Sequence, residues 1–264
     1  MAPNKQNIPV FILAGGFGTR MSDDASQLPK PMTEIGQTPI LIHLMRWYYA
    51  HGFNDFVICV GYRSWYIKEY FLNYGFRKNS LTVDHRNEAV AKTLSLNQEQ
   101  ERWRVTLIET GVSSMTGSRL AQALDAFGAS EKFDQFALTY GDGLCDVNLD
   151  DELTFHLQHG KIGTVLGVTP ASRFGELKVK ENQVEGFLEK PTLKKSLISG
   201  GFFFFKKEFR EFLDKKPSCV LEDVPLSSLA RENQLMTYKH TGFWQCMDTP
   251  RDRTLLQKIW DSGQ

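Results

Sequence analysis

The sequence lacks a long hydrophobic run and any close pair of cysteines. No stretch approaches the roughly 20 apolar residues that a membrane-spanning helix needs. The apolar stretch near the start is broken by glycine too soon for a signal peptide. The four cysteines are widely spaced and form no CxxC pattern, at Cys59, Cys145, Cys219 and Cys246. These features predict a cytoplasmic protein with mostly buried, unpaired thiols, and they argue against a cysteine metal site.

The chain also lacks an excess of either charge, since 31 lysines and arginines balance 31 aspartates and glutamates. A formal net charge of zero excludes a general electrostatic attraction to nucleic acid or to an anionic membrane, although a local basic pocket is compatible with it. A small phosphorylated ligand fits this charge balance better than a polyanion does. With 264 residues, the chain is long enough for one large α/β domain or for two unequal lobes.

Apolar strands alternate with amphipathic helices in the first half of the chain. VFILA and DFVICVG have apolar residues on both faces, which is typical of strands in a covered sheet, and WRVTLIETG and QFALTYGDG are also predicted to be strands. The alternation predicts a mostly parallel sheet covered on both faces. After about residue 150 strands and turns predominate, with a hairpin signal at KENQ. EAVAKTLSLNQEQERW is polar and is predicted to be a long loop.

A loop with three glycines follows the first strand, in VFILAGGFGTRM. Such a loop lets backbone N–H groups approach phosphate oxygens, because no Cβ intervenes. The dinucleotide pattern GxGxxG fails because Met21 occupies its third glycine position, and the P-loop pattern GxxxxGK[ST] is absent. What remains is GGxGTR, Gly15–Arg20. By itself this pattern is also compatible with a simple tight turn.

Two basic residues favour phosphate binding over a simple turn. Arg20 ends the glycine loop, and Lys30 follows ten residues later between Pro29 and Pro31. Arginine offers a planar fork of donors to phosphate oxygens, and lysine offers a compact charge. The flanking prolines stiffen the backbone of Lys30, so that it loses less entropy when it engages a ligand.

The segment LAGGFGTRM…LPKPMTEIGQTPIL resembles the sugar-nucleotide pyrophosphorylases, nucleotidyltransferases that join a nucleoside triphosphate to a sugar 1-phosphate. The likeness continues through GVSSMTGSRL, TYGDG, RFGEL, FLEKP, SGGFFFF and GFWQCMDTPRD, and is greatest to the glucose-1-phosphate cytidylyltransferase subfamily. It implies a Rossmann-like α/β fold with a mixed, mainly parallel central sheet and a smaller β-rich sugar-binding part. The expected organisation is one domain over 1–264, with a nucleotide-binding part at about 1–150 and a sugar-phosphate-binding part at 151–264.

The resemblance also implies a set of site residues. The catalytic residues are expected to be Arg20 and Lys30. The nucleotide-binding residues are expected to be Leu13, Ala14, Gly15, Gly16, Gly18, Thr19, Ser114, Thr116, Gly117, Arg119, Gly141 and Asp142. The sugar-phosphate-binding residues are expected to be Gly175, Glu189, Lys190, Gly200 and Gly201. Related enzymes hold Mg²⁺ with aspartates at the positions of Asp142 and Asp248.

Several of these residues have a simpler structural interpretation. Asp142 at a strand end could cap a helix, Lys190 could be a surface lysine in a turn, and the serines and threonine of GVSSMTGSRL could form an N-capping cluster. The four phenylalanines of SGGFFFF are expected in the core. These interpretations are compatible with the resemblance.

Four positions depart from what the subfamily usually has: Leu28, Val112, Ser199 and Val224. They leave the acceptor open. The expected reaction is CMP transfer from CTP to a sugar 1-phosphate, with glucose 1-phosphate as the first choice and a CDP-sugar for deoxysugar or surface-polysaccharide synthesis as product. A different sugar or polyol phosphate acceptor, another base, or a non-catalytic nucleotide-sugar-binding regulator are the alternatives. By analogy with relatives, a homo-oligomer is expected.

Overall fold

The computed structural model describes residues 5–18, 28–84, 86, 90–94, 101–169, 176–180, 183–188 and 197–263. The strands in this part of the chain are β1 Val10–Leu13, β2 Glu34–Ile35, β3 Thr38–Pro39, β4 Asp55–Val60, β5 Ser80–Asp84, β6 Val90–Leu94, β7 Arg104–Glu109, β8 Gln135–Tyr140, β9 Gly143–Cys145, β10 Gly163–Val168, β11 Glu176–Lys180, β12 Gln183–Leu188, β13 Ile198–Lys206, β14 Leu235–His240 and β15 Trp244–Cys246. The α-helices are α1 Ile40–Ala50, α2 Ser64–Leu72, α3 Tyr74–Lys78, α4 Thr116–Gly128, α5 Leu149–His159, α6 Val224–Arg231 and α7 Pro250–Asp261.

A seven-stranded sheet in the order β14-β10-β13-β8-β1-β4-β7 forms the centre of the fold. Strand β13 runs antiparallel to both of its neighbours, and every other pairing in the sheet is parallel. The predicted mixed, mainly parallel sheet flanked by helices is therefore confirmed. Strands from both of the expected parts join the same sheet, because β13 from the second part pairs with β8 from the first.

Both faces of the sheet are covered, as the unbroken apolar strands predict. In β1, Val10 and Ile12 pack with α1 on one face, while Phe11 and Leu13 pack with α4 on the other. The phenylalanines of β13 alternate in the same way: Phe202 and Phe204 join the first cluster, and their neighbours 203 and 205 join the second. All four are at most 1% exposed, so the expectation that they belong to the core is confirmed.

Three smaller β-hairpins lie outside the central sheet in the described part of the chain: β2–β3, β5–β6 and β11–β12. The KENQ signal is confirmed, since Lys180 pairs with Gln183 between β11 and β12. The prediction of one long loop at EAVAKTLSLNQEQERW was wrong for β6, which pairs antiparallel with β5. The segment lacks strong apolar alternation, and the β6 ladder depends on a partner strand that the local pattern does not reveal.

The state of the cysteines and the character of the helices bear on the predictions made from composition. All four cysteines are free thiols; Cys59 and Cys145 are buried, and Cys219 and Cys246 are half-buried. Within the described ranges, no helix has both the length and the apolar character needed to cross a bilayer.

Candidate active site

The glycine loop lies at the carboxyl edge of the central sheet. Strand β1 lies between β4 and β8, and the loop leaves β1 after Leu13, where the Ala14 N–H donates to the Cys59 carbonyl. Gly18 has a φ of 64°, a left-handed conformation that favours glycine, and a Cβ there would lie 3.3 Å from the Lys30 Cβ. The loop therefore turns back against the segment that carries Lys30. Thr19 and Arg20 lie outside the described residues.

Lys30 stands in a 3-10 turn, Lys30–Met32, that follows Pro29. Its Nζ donates to the Asp142 Oδ2 at 2.5 Å and to the Asp248 Oδ1 at 2.6 Å, and its side chain is 13% exposed. Burial lowers the pKa of Lys30, but the two carboxylates outweigh burial and raise the pKa above its ordinary value. The ammonium is therefore held in its charged form between two anions.

Asp142 and Asp248 are brought together by a two-stranded ribbon. Asp142 follows β8 and precedes β9, which pairs antiparallel with β15, so that Gly143 lies opposite Cys246. The Met247 N–H then donates to the Asp142 carbonyl at 2.8 Å. Beyond it, the Asp248 N–H donates to the Asp252 carboxylate, which forms a capping box at the start of α7. The β9–β15 ladder and the cap of α7 therefore hold both carboxylates against the Lys30 ammonium.

These two carboxylates also fit the expected magnesium ion. Hard cations take oxygen ligands, and Mg²⁺ commonly uses one or two carboxylates together with substrate phosphates. Asp142 and Asp248 already converge on one cationic atom, the Lys30 Nζ. The role of the two residues as metal ligands stays a prediction.

Two cavities border the pair of aspartates, Asp142 and Asp248. The glycine-loop cavity, of about 430 Å³, is lined by Leu13, Ala14, Gly15, Gly16, Phe17, Gly18, Lys30, Pro31, Ser113, Ser114, Met115, Thr116, Arg119, Tyr140, Asp142 and Asp248. The β13 cavity, of about 310 Å³, is lined by Thr139, Tyr140, Asp142, Gly143, Ser199, Gly200, Gly201, Phe202, Trp244, Cys246 and Asp248. Because Tyr140, Asp142 and Asp248 line both, one ligand in each cavity would meet at the carboxylates.

Arg119 borders the glycine-loop cavity but is 3% exposed. Its guanidinium donates to the Thr110 hydroxyl at 2.8 Å and to the carbonyls of Gly111 and Val112 at 2.6 and 3.0 Å. Burial lowers its pKa. The arginine therefore fastens the loop after β7 to α4, and its expected role as a donor to the nucleotide stays a prediction.

The start of α4 is held by contacts to the segment before α6. The Thr116 hydroxyl donates to a Glu222 carboxylate oxygen at 2.8 Å and accepts from the Leu221 N–H at 2.9 Å. The Tyr140 hydroxyl donates to the other Glu222 oxygen. Helix α4 begins after Met115 without a side-chain cap, so the capping interpretation of this cluster is wrong. Glu222 instead links Thr116 to Tyr140, and both of these residues line the glycine-loop cavity.

The sugar side of the predicted site is described in part. The Gly200 carbonyl accepts from the Trp244 indole N–H at 2.7 Å, and Gly201 has a φ of 78° where a Cβ would lie 2.7 Å from the Tyr140 ring. Both glycines line the β13 cavity, whereas Gly175, Glu189 and Lys190 lie outside the described residues. Gly141 packs against Pro31 rather than facing open space.

Sequence reasoning missed several residues that line the cavities. Tyr140 immediately precedes the predicted site residues Gly141 and Asp142. Its position at the end of a predicted strand could therefore have identified it as a site residue. Trp244 and Cys246 carried no such signal, because their position depends on the β9–β15 ladder. Of the departures from the subfamily pattern, Ser199 lines the β13 cavity, while Leu28, Val112 and Val224 are exposed.

Comparison with known proteins adds a family and close relatives. The nucleotidyl transferase family model matches residues 9–251. The chain is 41% identical over 256 residues to a glucose-1-phosphate cytidylyltransferase of Salmonella typhimurium (strain LT2), with 96% of each protein covered. It is 25% identical to the mannose-1-phosphate guanylyltransferase catalytic subunit beta of Xenopus tropicalis, covering 92% of this chain and 61% of that protein.

Solved structures share the fold at lower identity. UDP-glucose pyrophosphorylase complexed with UDP-glucose superposes with a TM-score of 0.67 at 16% identity, covering 97% of this chain and 99% of that one. HddC from Yersinia pseudotuberculosis complexed with GMP-PN has a TM-score of 0.65 at 19% identity, with 96% and 99% covered. At these identities the likeness extends to the architecture of the sheet and its flanking helices.

Proposed function

The chain belongs to the nucleotidyl transferase family, and from that premise we propose that it transfers CMP from CTP to glucose 1-phosphate, releasing pyrophosphate and giving CDP-glucose. The observation that carries the proposal is the 41% identity, over 96% of both chains, to a glucose-1-phosphate cytidylyltransferase. The two cavities that share Asp142 and Asp248 support it, because the reaction needs two phosphorylated ligands to meet.

The reaction is an in-line displacement at phosphorus. A phosphate oxygen of glucose 1-phosphate forms a bond to the α-phosphorus of CTP, while the bond from that phosphorus to the bridging oxygen of the β-phosphate breaks. The bonding electrons leave with pyrophosphate. No covalent enzyme intermediate is needed, because the attacking oxygen already carries negative charge, so catalysis rests on positioning and charge stabilisation.

Lys30 is the described residue placed to neutralise the reacting phosphates. Its ammonium lines the glycine-loop cavity and contacts Asp142 and Asp248, which line both cavities, and its raised pKa favours the charged form. We assign Lys30 to the α-phosphate, Arg20 to the departing pyrophosphate and Lys190 to the phosphate of the sugar. Asp142 and Asp248 would hold Mg²⁺, which supplies further neutralisation of phosphate charge when bound.

The location and assembly of the protein belong to the same proposal. The four free thiols suit a reducing compartment such as the cytoplasm. The exposed apolar side chains of Trp65, Leu72 and Leu81, on α2 and on β5, support a homo-oligomer. The CDP-sugar product would feed deoxysugar or surface-polysaccharide synthesis.

Pyrophosphate release tests the reaction directly. CTP, UTP, dTTP, ATP and GTP are each combined with Mg²⁺ and a panel of sugar and polyol phosphates, with Asp142→Asn as the background control. Release that is greatest with CTP and glucose 1-phosphate is expected. Release with CTP and another acceptor would move the function to that acceptor. Nucleotide binding without release across the panel would contradict catalysis and favour a regulator.

A further inference from the structure

A second cluster of metal-ligating side chains lies at the other end of the β9–β15 ribbon. Asp142 and Asp248 flank the ribbon at one end, whereas Cys145 ends β9, Asp146 follows it, and His240 ends β14. The Cys145 Sγ, an Asp146 carboxylate oxygen and a His240 ring nitrogen all lie within 4.8 Å of one another. The cluster thus joins an edge strand of the central sheet to the ribbon that carries the site.

A backbone oxygen completes a set of four donors. The His240 Nε2 lies 2.8 Å from the Asp146 Oδ1 and 3.2 Å from the Phe243 carbonyl oxygen. Zinc bonds of about 2.0–2.3 Å in a tetrahedron place neighbouring ligand atoms about 3.3–3.8 Å apart. The His240 nitrogen is near this spacing from the Phe243 carbonyl oxygen but closer to the Asp146 oxygen, so a bound ion has to part the His240–Asp146 pair slightly. The Cys145 Sγ lies within 4.8 Å of both side-chain donors.

The backbone around the donors is closely fitted to them. A Cβ on Gly242 would lie 2.4 Å from the Asp146 Oδ1 and 2.7 Å from the His240 Cε1, so a larger residue there would displace one of these side chains. The Cys145 residue is 7% exposed and the His240 side chain 12%, whereas the Asp146 side chain is 51% exposed. The cluster is closed on the protein side and open to solvent through the aspartate.

We propose that Cys145, Asp146 and His240, with the Phe243 carbonyl, bind a zinc ion that is separate from the catalytic cation. The donor set selects the metal: thiolate and imidazole suit Zn²⁺, whereas Mg²⁺ takes oxygen ligands alone. Cys145 binds as the thiolate, and its proton passes to solvent. The wide spacing of the cysteines in the sequence carries no sign of this site, because its other ligands are not cysteines.

Zinc at this position would act on the reaction by fixing the ribbon. Strand β9 starts directly after Asp142, and β15 ends two residues before Asp248, so a metal at the open end restrains both strands against each other. The same ion ties β14 to the ribbon through His240. Its role is positional, since none of its ligands lines either cavity as described.

Cobalt substitution tests the site through the thiolate-to-metal charge-transfer band in the absorption spectrum. The full-length protein is titrated with Co²⁺ in saturating Mg²⁺, which fills the site at Asp142 and Asp248. The band should appear in the wild type and in Cys246→Ser, and should be lost in Cys145→Ser. Cys246 is the essential comparison because it is a thiol beside the expected magnesium site, with its Sγ 3.6 Å from the Asp248 Oδ2. A cobalt ion bound there could give a thiolate band of its own. The absence of a band in the wild type, or its retention in Cys145→Ser, would overturn the proposal.

Zinc affinity provides a second measurement that does not depend on the cysteine. Competition against a chelator should show zinc binding at least tenfold weaker in His240→Gln, whereas Asp151→Asn, which removes an exposed carboxylate outside the cluster, should bind as the wild type does. Equal affinity in His240→Gln and wild type would overturn the site. A thermal melt of each variant without zinc identifies any that does not fold. Neither measurement uses CTP or a sugar phosphate, so their outcome is separate from that of the proposed function.

Discussion

At the residue scale, Lys30 is the described side chain with the clearest chemical assignment. Two carboxylates from distant parts of the chain, Asp142 and Asp248, would repel each other if they were held together without a cation. The ammonium removes that repulsion, and its hydrogen bonds keep both anions directed at one point. The same charge is available to phosphate once another cation satisfies the aspartates.

Replacing Lys30 with alanine should reduce turnover by at least 100-fold, equivalent to about 2.7 kcal/mol of transition-state stabilisation. The physical reason is the loss of the positive charge that contacts Asp142 and Asp248, which line both cavities. Steady-state pyrophosphate release measures the effect, and Lys30→Arg is the matched control, because it retains charge and should retain more activity. Turnover of Lys30→Ala within a few fold of wild type would show that Lys30 does not act on the α-phosphate.

Glu152 presents the opposite situation, a buried carboxyl group without a compensating charge. It lies on α5 and is fully buried, and neither carboxylate oxygen has a hydrogen-bond partner within the described part of the chain. Burial raises the pKa of Glu152 to about 8 from an ordinary value of 4.5. Between these values the folded protein keeps the proton and the unfolded chain releases it, so stability falls as the pH rises.

The free energy of unfolding should therefore decrease between pH 5 and pH 8 by on the order of 3 kcal/mol more in the wild type than in Glu152→Gln. Glutamine keeps the size of the side chain and removes its titration. Urea unfolding of both proteins at the two pH values gives the difference. The same pH dependence in both proteins would mean that Glu152 does not titrate in this window.

At the element scale, the start of α4 depends on close packing against the segment before α6. The Ser118 N–H donates to the Cys219 carbonyl, and the Met115 N–H to the Pro217 carbonyl. A Cβ on Gly117 would lie 2.7 Å from the Cys219 Sγ and 3.1 Å from the Leu221 backbone nitrogen. This glycine permits helix and segment to touch, and so sets the position of the residues that line the glycine-loop cavity.

Gly117→Ala should lower the free energy of unfolding by about 1–3 kcal/mol, because the added methyl group pushes the segment away from α4. Gly128→Ala at the other end of α4 is the matched control, since its Cβ would meet the Phe133 ring at 3.9 Å, an ordinary contact. That variant should be as stable as the wild type or gain up to about 1 kcal/mol from helix propensity. Urea unfolding that shows equal effects of both substitutions would contradict the packing argument.

At the scale of the whole molecule, the two expected parts, residues 1–150 and 151–264, contribute strands to one sheet. Strand β8 pairs with β1 on one side and with β13 on the other, so the ladder crosses the expected division near residue 150 without a break. Aspartates from both parts also meet on Lys30. Neither part can lose its structure without exposing the sheet of the other.

Unfolding in urea should therefore be a single transition, with tryptophan fluorescence and far-UV circular dichroism sharing one midpoint. Trp47 and Trp103 report on the first part, and Trp244 and Trp260 on the second. Leu229→Ala removes a fully buried side chain of α6 and leaves a cavity in the core. It should lower the free energy of unfolding by about 3 kcal/mol and shift the midpoint of both signals together. Separate midpoints, or a shift in one signal alone, would indicate two independent units.

Local sequence patterns were enough to predict the central strands, the parallel character of the sheet and the place of the glycine loop. These features follow from local patterns, because an unbroken apolar run such as Val10–Leu13 has to be covered on both faces wherever it lies. The proline-flanked Lys30 is also marked by its local sequence, and the resemblance added Asp142 and Asp248 as metal-site residues. That their charged groups meet follows from long-range packing, because the β9–β15 ladder joins residues about a hundred positions apart.

The tertiary structure also decided what several expected site residues contact. Arg119, Thr116 and Gly117 were expected at the nucleotide, and each makes contacts that hold the fold around it. Sequence spacing identifies which residue types are available near a strand end, but a guanidinium or hydroxyl takes the partners that folding brings within reach. Packing between distant segments settles that choice, since a buried donor has to be satisfied by whatever acceptor lies beside it.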